Sequence, residues 1–161
     1  NIATPASNTT YTATFQAGAA LNPGLKAEYF DTFNSVSPEL TRIDANIDFD
    51  WGTGAPAAGM GVDTFAARWT GRIRPAFSET YTFYTQTNDG VRMWINGTQV
   101  INDWNAHPLV ENSTSFALQA NQLYTIRVEY FENVNGAVAK LLWSSPSQPK
   151  QVVPANRLFQ P

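Results

Sequence analysis

The chain has 161 residues, a length that fits one domain, and 43% of them are hydrophobic, which is enough for a sizeable core. Only 14% are charged and the net charge is −3, so no basic stripe is available for nucleic acid. Cys is absent, which excludes disulfides, thiol catalysis and thiolate metal sites. Any metal ion would therefore need oxygen ligands or the single His107.

The first residues differ in composition from the rest of the chain. Thr, Ala, Asn and Ser dominate residues 1–23, and residues 10–15 alternate like one strand before Pro23 and Gly24 interrupt the pattern. We expect residues 1–23 to be a linker or an additional N-terminal strand. The domain proper is expected to span residues 24–161.

An acidic segment follows, in which Asp44, Asp48 and Asp50 lie at even spacings. The segment resembles the start of a calcium loop, but an EF-hand requires Gly at its sixth position, where this chain has Phe49. A period of two also places Ile47 and Phe49 on the core side of a strand and the acids in solvent. We therefore interpret it as a solvated strand face.

Residues 81–95 contain two alternating strands on either side of a polar corner, Asn88-Asp89-Gly90. The next pair, Asn96-Gly97, suits the two positive φ angles of a type I′ hairpin. The alternation places Tyr81, Phe83 and Thr85 on one face of the first strand, and Val91, Met93 and Ile95 on one face of the second.

The chain shows about ten short strands and no helical period of any length. Turn clusters separate these strands, as is typical of two antiparallel sheets packed face to face. We predict an all-β, two-sheet β-sandwich with little helix. No stretch approaches the roughly 18 apolar residues needed to span a bilayer, so membrane insertion is not expected.

Several blocks of the sequence, in this order, resemble the protective-antigen-type domain, called PA-fourteen. The resemblance covers roughly residues 24–160 and implies the sandwich fold. It also implies an extracellular module, secreted or on the cell surface, within a larger protein. The matching blocks are residues 25–30, 49–52, 65–71, 81–104, 124–130 and 141–143.

The resemblance also places function at the polar corner. In the flocculin and adhesin relatives, two consecutive Asp joined by a cis peptide hold Ca²⁺ together with an Asn and backbone carbonyls of a later loop. The matching residues here are Asn88 and Asp89, with Asn133 and Asn135 in the later loop. Asn in place of the first Asp removes one charge and should weaken Ca²⁺ binding, because ligand charge tunes affinity.

Two further residues are candidates for the ligand site. Glu132 precedes the later loop and would compensate for the charge missing at Asn88. Trp104 lies in an irregular polar segment, where its ring would offer a sugar a flat stacking surface. In contrast, Trp69 and Trp143 lie in core-like strands and are expected to be structural.

Turn chemistry alone also explains the corner, because Asn and Asp cap their own backbone and Gly accepts positive φ. A metal-free ligand site is a further alternative. Catalysis has little support, since His107 precedes a Pro in a loop and no triad partner lies beside it in sequence. We expect a non-enzymatic, carbohydrate-binding module whose partners are a glycan or polysaccharide and neighbouring domains. The alternatives are a structural or assembly spacer without sugar binding, and an accessory module that shapes the site of an attached glycosidase.

Overall fold

The structure is a computed structural model, and it describes residues 20–161. The expected linker or strand at residues 1–23 lies almost entirely outside the described residues. Near its end, Pro23 forms a β-bridge with Phe159, and the backbone N–H of Gly24 donates to the carbonyl of Leu158 at 3.0 Å. The described part of the chain therefore begins beside its own C-terminal end.

The described residues form twelve strands and one short 3₁₀ helix, Ala155–Arg157. The predicted all-β fold is confirmed. The strands are β1 (Leu25–Phe30), β2 (Leu40–Asp44), β3 (Asp48–Gly52), β4 (Ala66–Ile73), β5 (Glu79–Asn88), β6 (Val91–Ile95), β7 (Thr98–Asp103), β8 (Val110–Leu118), β9 (Tyr124–Phe131), β10 (Ala137–Ser145), β11 (Gln148–Val152) and β12 (Leu158–Phe159).

The strands build two antiparallel sheets. The larger sheet has the order β2-β1-β4-β9-β6-β7, and β12 also pairs with β4. The smaller sheet has the order β11-β10-β5-β8, and β3 also pairs with β10. Because β5 lies in the smaller sheet and β6 in the larger, the corner between them crosses from one sheet to the other.

The core lies between the two sheets, and the shared faces that alternation predicted are part of it. On β5, Tyr81 and Phe83 are fully buried and Thr85 is 1% exposed, while the residues between them are partly exposed. The shared face of Val91, Met93 and Ile95 on β6 is also fully buried. Trp69 and Trp143 are 0% exposed, which confirms their structural role. Core packing thus fixes the register of the two strands that lead into and out of the corner.

The hairpin between β6 and β7 has the predicted geometry. Asn96 and Gly97 have φ angles of 47° and 79°, as a type I′ turn requires. Residues 20–161 include no helix with the length and apolar character to cross a bilayer.

The prediction of a solvated acidic face was wrong for Asp44. Its side chain is buried at the end of β2, where it accepts hydrogen bonds from the Tyr29 hydroxyl at 2.5 Å and from Trp69 Nε1 at 2.8 Å. Arg42 Nε adds an ion pair at 2.6 Å. These donors compensate the cost of burying the carboxylate. Asp48 and Asp50, on β3, are exposed as predicted.

Candidate functional site

The polar corner connects the two sheets at one end of the sandwich. The peptide bond between Asn88 and Asp89 is cis. Gly90 follows, and a Cβ atom at this position would lie 2.2 Å from the Phe131 ring. The carbonyl of Gly90 accepts a hydrogen bond from the backbone N–H of Phe131 at 3.0 Å. Close packing against Phe131 therefore explains why a residue without a side chain follows Asp89.

The carboxylate of Asp89 joins two other segments to this corner. Its Oδ1 accepts a hydrogen bond from the backbone N–H of His107 at 2.8 Å, and its Oδ2 accepts one from the backbone N–H of Asn133 at 2.8 Å. Asp89 is only 4% exposed. A carboxylate has about four lone-pair sites, so these two bonds leave acceptor capacity on both oxygens. Asp89 is thus a structural cap that retains the capacity to bind a cation.

A cavity of about 300 Å³ opens beside Asp89. The residues from β5 and from the loop after β9 that were predicted as metal ligands meet there, although they are separated by more than forty positions in the sequence. The β-ladder between β5 and β10, in which Asn88 pairs with Val138, holds the two segments together. The lining residues are Asn88, Asp89, Ala106, His107, Pro108, Asn133, Val134 and Asn135.

Glu132, which precedes Asn133 in the sequence, does not line this cavity. It is 0% exposed, its Oε2 accepts a hydrogen bond from the Tyr130 hydroxyl at 3.1 Å, and its Oε1 has no hydrogen-bond partner among the described residues. The same hydroxyl also contacts the carbonyl of Asn88. The pKa of Glu132 is raised to about 7, first by burial and then by the negative charge of Asp89, with a smaller contribution from Asp63, and the hydrogen bond from Tyr130 opposes this rise only in part. A proton or a cation near Glu132 would relieve this cost.

The donor types at the corner match a hard cation. Within residues 20–161 no three His, Cys, Asp or Glu side chains are grouped so that they could hold a metal ion. A cation beside Asp89 would therefore depend on amide and carbonyl oxygens, which Ca²⁺ accepts and soft metals do not.

Trp104 does not line the corner cavity. It lines a separate groove of about 380 Å³ together with Phe30, Arg68 and Arg92. The Arg92 guanidinium lies 3.8 Å from the centre of its ring, and Phe131 packs against it with the ring centroids 4.8 Å apart. The expected sugar-stacking role of Trp104 at the corner therefore does not fit its position.

Sequence reasoning missed the segment that contains His107 and Pro108 as part of the site. The ring Nε2 of His107 lies 3.3 Å from Asp103 Oδ2, and the backbone N–H of His107 donates a hydrogen bond to Asp89 Oδ1. No local pattern indicates this contact, because it depends on the return of the chain after β7 to the end of β5.

Comparisons with known proteins agree with this fold. The family model described as the PA14 domain matches residues 21–157. The anti-sigma-I factor RsgI3 of Acetivibrio thermocellus is 45% identical over 136 residues, which are 84% of this chain and 21% of that protein. The chain thus spans about a fifth of the length of this curated relative.

Two solved structures show the range of similar proteins. An anti-sigma factor domain-containing protein from Clostridium clariflavum has a TM-score of 0.82 and 39% identity, over 87% of this chain and 48% of that one. The Epithelial Adhesin 6 A domain from Candida glabrata, in complex with Galβ1-3GlcNAc, has a TM-score of 0.68 over 89% of each chain. At 12% identity this second likeness shows the fold alone.

Proposed function

The chain belongs to the PA14 domain family, and from that premise we propose that it is a non-catalytic, carbohydrate-binding module of a larger secreted or cell-surface protein. One observation carries the proposal. The corner cavity brings Asn88, Asp89, Asn133 and Asn135 together although they come from distant parts of the chain. A concave site with a few convergent polar groups is the usual form of a small-ligand site.

We infer that Ca²⁺ is the cofactor. Asp89 retains free lone pairs on both carboxylate oxygens, and Asn88, Asn133 and Asn135 supply amide oxygens. Loop carbonyls add further ligands of the type that Ca²⁺ accepts in flexible geometry. When bound, the cation would coordinate hydroxyl groups of a glycan.

The affinity for Ca²⁺ is expected to be low. Asp89 is the one carboxylate that lines the cavity. The negative charge of Asp89 raises the pKa of Glu132, but Glu132 does not line the cavity. Extracellular calcium modules with few charged ligands bind with dissociation constants on the order of 10⁻⁴ to 10⁻³ M. That range suits an extracellular compartment, where calcium is abundant.

The residues around the cation would determine which glycan binds. His107, Pro108 and Val134 line the cavity, and Val134 is 50% exposed. Val134 and Pro108 offer small apolar surfaces to the C–H face of a sugar ring, while the Asn side chains can donate and accept hydrogen bonds with its hydroxyls. Loop shape would thus set specificity.

The similar proteins are of two kinds. The Candida glabrata adhesin domain, which has the same fold, was solved with a disaccharide. The relatives with higher identity are anti-sigma factor proteins, in which this domain occupies about half or less of the chain. A glycan and neighbouring domains are accordingly the partners that we propose.

A second candidate function has its own observation. Both oxygens of Asp89 cap backbone N–H groups of other segments. If capping these N–H groups is the whole role of the corner, the domain would be a structural or assembly spacer that binds no sugar.

Calcium-linked thermal unfolding distinguishes the two functions, followed by a glycan array in calcium and in chelator. A ligand that binds only the native state raises the melting temperature. The carbohydrate-binding function predicts a higher melting temperature in millimolar Ca²⁺ and array signals that disappear with chelator. The matched control is Asp48→Asn, which removes an exposed acid of β3 far from the corner in the sequence. A melting temperature that Ca²⁺ leaves unchanged, together with a blank array, would favour the spacer.

A further inference from the structure

The chain contains two Asn-Gly pairs, Asn96-Gly97 and Asn135-Gly136. Gly lacks a Cβ atom, so its backbone nitrogen is unusually accessible to the side chain of the residue before it. In an Asn-Gly pair this nitrogen can attack the amide carbon of Asn. The surroundings of the two pairs decide how readily each one reacts.

The first pair is held in place. Asn96 Oδ1 accepts a hydrogen bond from the backbone N–H of Thr125 at 2.9 Å and lies 3.4 Å from the Thr125 hydroxyl. The backbone N–H of Asn96 donates to the carbonyl of Thr125 at 2.9 Å. Side chain and backbone are thus fixed to the neighbouring strand, so that the Asn96 amide carbon cannot easily turn towards the nitrogen of Gly97.

The second pair is free of such contacts. Asn135 is exposed at the rim of the corner cavity, and its side chain forms no hydrogen bond with the described part of the chain. Its φ angle is 83°, and Gly136 after it lies outside β10. The Asn135 side chain can therefore sample the rotamers that bring its amide carbon to the Gly136 nitrogen.

We propose that Asn135-Gly136 is a site of spontaneous deamidation, at which a neutral amide of the corner becomes a carboxylate. The deprotonated Gly136 nitrogen forms a bond to Asn135 Cγ, the Cγ–Nδ2 bond breaks, and Nδ2 takes up a proton and leaves as ammonia. Water then opens the resulting succinimide at either carbonyl. The products are aspartate and isoaspartate, and no oxidant or reductant takes part.

The modification would change the electrostatics of the corner. It adds one negative charge to a cavity in which Asp89 is the one lining carboxylate. Where the proposed calcium function holds, the aspartate product raises the charge of the ligand set and with it the affinity for Ca²⁺. The deamidation itself does not depend on that function.

Peptide mass mapping of the folded chain during incubation at mildly alkaline pH tests the proposal. Trypsin places Asn135 in residues 128–140 and Asn96 in residues 93–127, so the two pairs are measured in separate peptides of one sample. We expect a gain of one mass unit that accumulates several-fold faster in residues 128–140. Fragmentation should locate the gain at Asn135 and not at Asn133, and a sample digested without incubation corrects for changes during proteolysis.

Gly136→Ala is the matched control. A Cβ at this position meets nothing closer than 3.8 Å, so the variant should fold, and the added methyl group shields the attacking nitrogen. We expect its deamidation to be several-fold slower. Equal rates at Asn135 and Asn96, each located by fragmentation, no gain at Asn135, or an unchanged rate in Gly136→Ala would each overturn the proposal. Since the readout is mass, these outcomes are independent of whether calcium or a glycan binds.

Discussion

The Asp89 carboxylate accepts a hydrogen bond from the backbone N–H of Asn133 at 2.8 Å, which joins the end of β5 to the loop after β9. Strand β5 belongs to the smaller sheet and β9 to the larger. One buried side chain therefore both closes the end of the sandwich and lines the cavity in which we propose that a ligand binds. Substitutions at this corner must be designed to separate these two contributions.

Asp89→Ala should destabilise the protein even without calcium. The substitution leaves the backbone N–H groups of His107 and Asn133 without their acceptor. Hydrogen bonds to charged groups contribute about 1.5–3 kcal/mol each, so we expect the loss of the two to lower the free energy of unfolding by roughly 3–6 kcal/mol. Urea unfolding in chelator measures it. Asp48→Ala removes an exposed carboxylate whose ion pair with Lys140 spans 3.6 Å, and it should change the free energy by less than about 1 kcal/mol. A similar small change in Asp89→Ala would contradict the structural role of the carboxylate.

The stability of the protein should depend on the protonation of Glu132. Its pKa rises from 4.5 in the unfolded chain to about 7 in the fold, because the carboxyl group is buried. Between these values the folded state binds more protons than the unfolded state, so the free energy of unfolding falls as the pH rises through this window. The buried Glu132 carboxyl group lowers the free energy of unfolding least below about pH 4.5 and most above about pH 7.

Glu132→Gln isolates this effect from other titrating groups. The amide keeps the shape and carries no charge, so the variant should gain stability relative to wild type as the pH rises from 5 to 8, by up to about 3 kcal/mol. Unfolding curves of both proteins in chelator across this pH range give the difference. A difference that stays constant with pH would show that Glu132 titrates alike in the folded and unfolded states.

Local pattern predicted much of the fold. Alternation in β5 and β6 identified the residues that share a face, and the Asn96-Gly97 pair identified the hairpin, because both features depend on neighbouring residues. The burial of Asp44 was not predicted, because its hydrogen-bond donors Tyr29 and Trp69 come from other strands. The position of Trp104 away from the corner depends on its packing against Phe131, which no spacing reveals. The sequence pattern therefore failed at positions whose environment depends on contacts with distant segments of the chain.

Gly90→Ala should be strongly destabilising. The new Cβ would lie 2.2 Å from a carbon of the Phe131 ring, and this ring is 8% exposed, so it has little room to move. Overpacking of this kind typically costs about 1–3 kcal/mol. Thermal and urea unfolding measure the loss. Gly136→Ala is the matched comparison, since its Cβ makes only ordinary contacts at 3.8 Å. Equal stabilities of the two variants would show that the Phe131 ring moves aside at little cost and that close packing does not require Gly at position 90.

Asn88→Asp should strengthen calcium binding and weaken the fold in its absence. The substitution adds a carboxylate to a cavity that Asp89 already lines, and the buried Glu132 lies close enough for the charge of Asp89 to raise its pKa. Without a cation, three acidic groups repel one another, so the melting temperature in chelator should fall below that of wild type. With Ca²⁺ the added charge raises affinity, so the rise in melting temperature on addition of millimolar Ca²⁺ should exceed that of wild type. Asp89→Asn combined with Asn88→Asp keeps the number of carboxylates constant and moves the charge by one position, which tests whether placement matters. If Asn88→Asp lowers the melting temperature equally with and without Ca²⁺, the added carboxylate coordinates no cation and the corner functions as a structural cap alone.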